Sequence, residues 1–215
     1  MTDMYLLNSA VGEYEEKKSR FIAHITNINS EEEANEYIAG LKKEYWDARH
    51  NCYAYVLGEK NEIQRFSDDG EPGGTAGKPI LDVLEGSGLR NVLIVVTRYF
   101  GGVLLGTGGL VRAYRNAAAD AVEKSEIAEK MRGKKVEMIL PYTLVGKLQY
   151  ICATMGVHEL ESSYEDKVKM CYLVPVEYYG KFCEEVNEAA SASVEINELD
   201  EVFYVVCESG QVMEL

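Results

Sequence analysis

Two glycine-rich segments are the feature of this sequence that most directly suggests chemistry. The first spans residues 67–79 and the second spans residues 98–112, and each connects a predicted strand to a predicted helix. Glycines at such a turn let backbone amides approach a ligand closely, and the positive end of the following helix favours an anion. The pair predicts an anion-binding site. The structural alternative is that these glycines only form tight turns and close helix–sheet contacts.

Neither segment matches a known nucleotide-binding fingerprint. In the P-loop pattern, the first glycine would fall on Pro72 and the hydroxyl residue that follows Lys78 would fall on Pro79. In the G-x-G-x-x-G pattern counted from Gly106, the last glycine would fall on Val111. The sequence thus predicts neither a P-loop nor a dinucleotide fingerprint.

The second segment lies in the one locally cationic stretch of the chain. The window 86–119 contains no aspartate or glutamate, but it contains Arg90, Arg98, Arg112 and Arg115. Arginine is suited to forked contacts with phosphate or carboxylate groups. Any site for a polyanion is expected to be local and to lie here.

An acidic cluster in the first segment admits several roles. Asp68, Asp69 and Glu71 lie within four consecutive residues. They could form a metal site or supply a general acid, although a helix cap or a solvated loop is the more common role of such carboxylates. A further alternative is that one of the two aspartates pairs with Arg98 or Arg112 and holds the two segments together.

A histidine and a cysteine lie at the start of a predicted strand. His50 and Cys52 are two residues apart, so they share a face of the strand without touching. A Cys/His nucleophile pair is one interpretation, but a scaffold histidine and a core cysteine are the more common outcome. Ser67 and Thr75 have no predicted base partner, which gives no support to a hydrolase triad. The histidines and cysteines show no zinc-ligand spacing, so no metal is expected.

The net charge excludes one class of nucleic-acid binder and places most of the acidity in one part of the chain. The formal charge of −14 divides into −3 for residues 1–135 (18 basic, 21 acidic) and −11 for residues 136–215 (4 basic, 15 acidic). A protein that coats nucleic acid through bulk positive charge is thereby excluded. The acidic part is expected to face a protein partner or to act as an acidic spacer.

The lack of a recognisable targeting signal or membrane span in the sequence favours a cytoplasmic protein without membrane association. The longest strongly apolar stretch, residues 92–96, is far too short to span a bilayer. Residues 1–4 lack the basic and apolar regions of a signal peptide. The five cysteines contain no C-x-x-C pattern and are expected to be reduced structural thiols.

The first part of the chain mixes strands and helices. Ser30 and Glu33 form a capping box, which predicts that a helix begins there. The apolar run within residues 91–97 predicts a strand covered on both faces. The other predicted strands are 20–28, 50–57 and 63–66, and the other predicted helices are 75–84 and 110–122.

The second part has the predicted element order βαββαβ, which is typical of a ferredoxin-like sandwich and gives an α+β fold class. The predicted strands are 136–140, 157–164, 168–176 and 194–207, and the predicted helices are 142–155 and 178–190. The polar segment 130–135, which contains a glycine, is interpreted as a boundary. It divides the chain into predicted domains 1–132 and 133–215.

Three motifs resemble the signatures of the IMPACT / YigZ family. They are FSDDGEPGGTAGKPIL at residues 66–81, VVTRYFGG at residues 95–102 continued by LGTGGLVRAY at residues 105–114, and HNCYAY at residues 50–55. The resemblance covers residues 15–125. The C-terminal part is similar to the extra domain of the bacterial members.

This resemblance implies a fold and a function. The N-terminal domain is expected to be a two-layer α/β domain of ribosomal-protein type, similar to domain four of elongation factor G, and the C-terminal domain to be similar to domain five. Eukaryotic members bind a ribosome-associated scaffold and restrain the amino-acid-starvation kinase pathway. The expected function is a non-enzymatic, cytosolic, translation-associated regulator. It would bind RNA, the ribosome or a ribosome-associated partner through its arginine- and glycine-rich face.

Candidate contacts follow from the arginine window and from the resemblance. Cations would contact phosphates with help from loop amides, and Tyr99 or Phe100 would stack on a base. The candidates are Lys78, Arg98, Tyr99, Arg112, Arg115, Thr75, Gly101, Gly102, Gly106, Gly108 and Gly109, with His50, Asp68, Asp69 and Glu71 as polar support. The alternative function is a small-molecule enzyme or sensor that binds a phosphorylated or carboxylated ligand between the two segments. No cofactor and no catalytic residue are assigned under the first hypothesis.

Overall fold

The computed structural model describes residues 3–190 and 193–215 as a mixed α/β protein with antiparallel sheets. The chain divides into two compact units, the first ending at Glu129 and the second spanning Lys130–Leu215. Residues 1–2 of the predicted N-terminal domain and residues 191–192 of the predicted C-terminal domain lie outside the described residues. Within the described ranges, no helix combines the length and the apolarity that a membrane span requires.

The first unit is built on a five-stranded antiparallel sheet with helices on both faces. Its strands are β1 (Met4–Leu6), β2 (Ala10–Glu16), β3 (Ser19–Asn27), β4 (His50–Leu57), β5 (Ile63–Ser67), β6 (Val92–Tyr99) and β7 (Ile127–Glu129). Its helices are α1 (Glu31–Glu44), α2 (Gly77–Ser87) and α3 (Gly106–Lys124). The large sheet has the order β2-β3-β6-β4-β5, while β1 pairs with β7 in a separate two-stranded sheet.

Strand β6 occupies the centre of the large sheet because both of its faces are apolar. Val92, Ile94 and Val96 lie in a core shared with α2 and α3, whereas Leu93 and Val95 lie in a second core shared with α1. Helices thus cover both faces of the sheet, as the continuous apolar run predicts. The two-layer arrangement expected for this domain is wrong, because α1 forms a third layer.

The topology brings both glycine-rich segments to one edge of this sheet. Strands β5 and β6 each pair with β4 in antiparallel register, so their C-terminal ends lie towards the start of β4. His50 is opposite Arg98 in one pairing, and Tyr53 is opposite Ser67 in the other. The segment after β5 enters α2 and the segment after β6 enters α3. Both turns leave the sheet at the same end.

The second unit is an antiparallel sheet with a helical layer packed on it. Its strands are β8 (Met131–Leu140), β9 (His158–Tyr164), β10 (Val168–Pro175), β11 (Glu195–Val206) and β12 (Val212–Glu214), and its helices are α4 (Val145–Met155) and α5 (Tyr179–Ala190). The sheet order is β12-β11-β8-β10-β9. Val136 and Met138 of β8 share one core with Leu148 of α4 and Phe182 of α5.

Strand β8 begins inside the segment that the sequence marks as a boundary. Gly133 and Lys134 are opposite Pro175 and Val174 of β10, so these residues belong to the sheet. A Cβ at Gly133 would lie within 3 Å of the Leu173 side chain. The predicted boundary segment thus includes the start of β8, and its glycine allows a close contact within the sheet.

Candidate functional site

The two glycine-rich segments meet around a cleft of about 740 Å³ in the first unit. It is lined by the residues just before β4, by part of the first segment, and by the run from the end of β6 into α3. The lining residues are Asp47, Ala48, Arg49, His50, Glu71, Pro72, Arg98, Tyr99, Phe100, Leu104, Leu105, Gly106, Thr107 and Leu110. Both sequence hypotheses require the two segments to meet, and the fold satisfies that condition.

Only part of the predicted residue set lines this cleft. The predicted residues on its surface are Arg98, Tyr99, Gly106, His50 and Glu71. The predicted residues away from its surface are Thr75, Lys78, Gly101, Gly102, Gly108, Gly109, Arg112, Arg115, Asp68 and Asp69. Sequence reasoning missed Asp47, Arg49 and Thr107 as polar lining residues. The only feature of the sequence that could have indicated them is their position, since Asp47 and Arg49 shortly precede β4 and Thr107 lies in the first turn of α3.

The first glycine-rich segment is organised around the carboxylate of Asp68. This carboxylate accepts hydrogen bonds from the amides of Gly74 at 2.8 Å, Ala76 at 2.9 Å and Gly77 at 2.8 Å. It therefore occupies the N-terminus of α2 as an internal anion. Burial on its own would raise the pKa of Asp68, but these amide hydrogen bonds outweigh burial and hold the pKa below its ordinary value.

We expect Asp68→Asn to destabilise the first unit by about 2 kcal/mol at neutral pH, because charge-assisted bonds to three amides are weakened. The pKa of Asp68 is lower in the folded protein than in the unfolded chain. The Asp68 carboxylate therefore stabilises the fold fully above its unfolded-state pKa, and this stabilisation is lost as the pH falls through its folded-state pKa. The difference in the free energy of unfolding between wild type and variant, measured in urea, should therefore decrease towards pH 3. A difference that stays constant from pH 7 to pH 3 would contradict this role.

Asp69 and His50 fasten the same segment to β4 and α1. The Asp69 carboxylate accepts hydrogen bonds from the backbone N–H of Asn51 at 2.7 Å and from the Lys42 ammonium group at 2.7 Å. Nδ1 of His50 donates to the backbone carbonyl of Asp69 at 2.9 Å, since a carbonyl oxygen only accepts. His50 thus has a scaffold role.

Glu71 of the first segment and Arg98 of the second form a buried ion pair. Nη1 of Arg98 lies 2.5 Å from Oε1 of Glu71, and the two side chains are only 7% and 3% exposed. The Tyr114 hydroxyl donates to the same Glu71 oxygen at 2.8 Å. The proposed ion pair between the segments exists, but its carboxylate is Glu71 and not an aspartate. Nη1 of Arg98 is therefore engaged inside the protein.

The Cys52 thiol belongs to this buried network. It lies 3.0 Å from the carbonyl oxygen of Asp68 and 3.3 Å from the Tyr114 hydroxyl oxygen, within hydrogen-bonding distance for sulfur. Burial raises the pKa of the Cys52 thiol and, together with the neighbouring Cys52 and Glu71, raises the pKa of Tyr114. A thiol held in the neutral form is a poor nucleophile, so the geometry gives Cys52 a core role.

Two further predicted phosphate contacts are already paired with carboxylates of α2. Lys78 contacts Asp82 at 2.8 Å and Glu85 at 3.4 Å, while Arg115 contacts Asp82 at 3.2 Å. The window 86–119 is free of acids only along the sequence, because α2 lies beside α3 and supplies them. Arg112 differs, since it is exposed and has no ion-pair partner among the described residues.

Two predicted polar contacts are also used within the protein. The buried Thr75 hydroxyl donates to the Pro72 carbonyl at 2.7 Å. The Tyr99 hydroxyl donates to the Asp47 carboxylate at 2.7 Å. Both hydroxyl groups stabilise the walls of the cleft, so neither is free to donate to a ligand.

The rim of the cleft exposes large apolar side chains in close succession. Phe100 is 52% exposed, Val103 is 47% exposed and Leu104 is 83% exposed. The ring centroid of Phe100 lies 5.7 Å from the guanidinium carbon of Arg98, within the range of a cation–π contact. The rim therefore combines an accessible aromatic face with an apolar loop.

Comparisons with known families divide the chain in a similar way. The family described as the Impact N-terminal domain matches residues 17–122, and the family described as a domain of unknown function, DUF1949, matches residues 138–193. The cleft and its rim lie entirely within the first match.

Similar proteins occur in bacteria and in eukaryotes. The IMPACT family member YvyE of Bacillus subtilis (strain 168) is 37% identical over 200 residues, which cover 92% of this chain and 92% of that protein. The IMPACT family member YigZ of Escherichia coli (strain K12) is 33% identical over 86% of this chain and 92% of that protein. The Protein IMPACT homolog of Dictyostelium discoideum is 43% identical over 42% of this chain and 27% of that protein.

A solved structure supports the fold. A crystal structure described as that of a hypothetical protein superposes with a TM-score of 0.58 at 30% sequence identity. The superposition covers 93% of this chain and 98% of that chain. The likeness therefore extends over both units.

Proposed function

Since this chain belongs to the IMPACT family, we propose that it is a cytoplasmic, translation-associated regulator without catalytic activity, whose first unit binds ribosomal RNA. The Impact N-terminal domain matches residues 17–122, which lie in the first unit. The Dictyostelium relative covers 42% of this chain, which is consistent with a shared role carried by one unit. The proposal assigns RNA binding to residues 1–132.

The observation that carries this proposal is the exposed apolar rim of the cleft, in a unit that also exposes Arg112 of α3 without an ion-pair partner among the described residues. Phe100 and Leu104 offer apolar surface to solvent, and exposed apolar patches of this kind mark interaction sites. A phenylalanine face stacks on an unpaired base, and the Arg112 guanidinium is free to contact a phosphate. Exposed aromatic faces and free cations are the two kinds of group that single-stranded RNA recognition uses.

We expect Phe100→Ala to weaken binding to ribosomes or to ribosomal RNA about tenfold, because a base–aromatic stack contributes about 1–3 kcal/mol. Arg112→Ala should reduce the slope of log affinity against log salt by about one, since one phosphate contact is lost. Co-sedimentation with ribosomes and filter binding to ribosomal RNA fragments across a salt series measure both effects.

The matched control is Phe66→Ala, which removes an aromatic ring of similar exposure from β5, outside the cleft lining. Phe66 is 48% exposed, compared with 52% for Phe100. The control should bind like wild type. Equal losses from the two phenylalanine variants would overturn the assignment of the rim as the RNA surface.

For the fold, we propose the finer assignments that the family resemblance implies. The order βαββαβ and the neighbours β11-β8-β10-β9 support a ferredoxin-like sandwich in the second unit, similar to domain five of elongation factor G. A likeness to domain four of that factor is proposed for the first unit, with α1 added as a third layer. The charge of −11 in residues 136–215 supports a protein partner for domain 133–215 rather than RNA.

A further inference from the structure

Arg98 has one hydrogen-bond donor that the protein leaves unused. Its Nη1 binds Glu71, but its Nε is buried and has no hydrogen-bond partner. Arg98 is 6% exposed and lines the cleft between the glycine-rich segments. Because an unsatisfied buried donor is costly and rare, this N–H indicates an acceptor supplied from the cleft.

The N-terminus of α3 opens into the same cleft. This 19-residue helix has no side-chain cap and no acidic residue in its first turn, and Gly106 and Thr107 of that turn line the cleft. The first amides of a helix lack partners within the helix and favour an anion. In helix α2, the Asp68 carboxylate accepts hydrogen bonds from the first amides, whereas α3 has no corresponding carboxylate.

The anion preference of the cleft comes from directed donors rather than from excess charge. Arg49 and Arg98 line it together with Asp47 and Glu71, so the formal charges of these four residues cancel. The Arg98 N–H and the α3 amides are fixed by burial and by the helix. A directed site of this kind is less sensitive to salt than a diffuse basic patch.

The remaining wall is suited to an apolar or aromatic group. Phe100, Leu104, Leu105 and Leu110 line the cleft. A volume of about 740 Å³ lies within the range of small-molecule sites. The cleft can therefore hold more than an isolated ion.

We propose that this cleft binds a small organic anion, with its phosphate or carboxylate group on the Arg98 N–H and the first-turn amides of α3 and its apolar or aromatic body against Phe100 and Leu105. This site shares Phe100 with the RNA surface of the proposed function, but binding of the small molecule requires no RNA. The two proposals can fail separately.

Calorimetric titration of the full chain tests the site with inorganic phosphate, acetate and adenosine 5′-monophosphate as separate probes. We expect saturable one-to-one binding of at least one anion, and adenosine 5′-monophosphate should bind about tenfold more tightly than phosphate because its base contacts the apolar wall. The phosphate and acetate titrations distinguish a phosphate head from a carboxylate head. Absence of saturable binding by all three probes at about 10 mM would overturn the proposal.

The variant Thr107→Glu places a carboxylate in the first turn of α3, as Asp68 does for α2. It should preserve the fold, because an acidic residue suits a helix N-terminus, and it should weaken anion binding at least about tenfold. The control Ala119→Glu adds the same charge to an exposed position of the same helix and should bind like wild type. Equal affinity of the two variants would overturn the placement at α3.

A second variant, Arg98→Lys, keeps a cation beside Glu71 but removes the Nε donor. We expect weaker anion binding while the charge opposite Glu71 is retained, and thermal unfolding reports separately on the fold. Unchanged anion affinity in a folded Arg98→Lys protein would remove Arg98 from the site. Ribosome binding measured on the same variants shows whether the RNA surface persists when the anion site is lost.

Discussion

Replacing Arg98 by methionine is expected to destabilise the first unit by about 3–5 kcal/mol, because the change leaves the Glu71 carboxylate buried without its cation. The Glu71 side chain is 3% exposed, so water cannot replace the guanidinium. Tyr114 still donates to Glu71, but one neutral hydroxyl does not balance a buried charge. Urea unfolding monitored through hydrogen exchange of the β6 amides measures the loss of stability in the first unit specifically.

The double variant Arg98→Met with Glu71→Gln is the matched control. Glutamine is uncharged and its carbonyl oxygen can still accept from Tyr114, so the double variant should recover most of the lost stability. An Arg98→Met protein within about 1 kcal/mol of wild type would contradict the buried pair. A double variant as unstable as the single variant would show that the loss comes from packing and not from an orphaned charge.

The second large effect is expected for Gly101→Ala, with a loss of about 3 kcal/mol or a displaced rim loop. A Cβ at Gly101 would overlap the backbone of Lys18 and Ser19, where the turn after β2 enters β3. Backbone atoms cannot rotate aside as the end of a flexible side chain can. The Gly101 amide also donates to the Ser19 hydroxyl at 3.1 Å, which a displaced loop would lose.

Gly73→Ala provides the control for Gly101→Ala. Gly73 lies in the first glycine-rich segment, and a Cβ there meets nothing within 4 Å. Its φ is not in the left-handed region, so alanine is compatible with the backbone. We expect a change within about 0.5 kcal/mol in thermal unfolding. If both variants were equally stable, the close contact at Gly101 would be refuted.

Local sequence signals predicted much of the fold. The strand predicted at residues 50–57 is β4, and the capping box at Ser30 opens α1 with a 3.1 Å hydrogen bond from the Glu33 amide to the Ser30 hydroxyl. The element order of the second unit followed the prediction up to β11, whereas the short strand β12 was not predicted. Periodicity and caps act over a few residues, so they can be recognised without knowledge of the tertiary structure.

Long-range pairing accounts for what the sequence could not predict. The short strands β1 and β7 are more than 100 residues apart in the sequence, yet they pair with each other. Gly12 of β2 allows the α3 backbone at Ala121 to approach closely, but nothing local to Gly12 indicates that contact. Such features depend on the assembled unit.

The candidate site also depends on long-range contacts that the local sequence does not indicate. The acid-free window correctly located the arginines, but Glu71 and Asp82 reach Arg98 and Arg115 from other segments. The charge of a window says little about the charge of a surface once strands and helices are packed. Only Arg112 remained an exposed and unpaired cation of the predicted set in the part of the chain that the structure describes.

Ultraviolet cross-linking of the full chain to ribosomes, followed by mass spectrometry of the cross-linked peptides, is a direct test of RNA binding by the first unit. RNA adducts are expected on the peptide that contains Phe100, and they should be reduced in Phe100→Ala and unchanged in Phe66→Ala. Adducts confined to residues 136–215, or absent from the first unit while the protein still sediments with ribosomes, would contradict it.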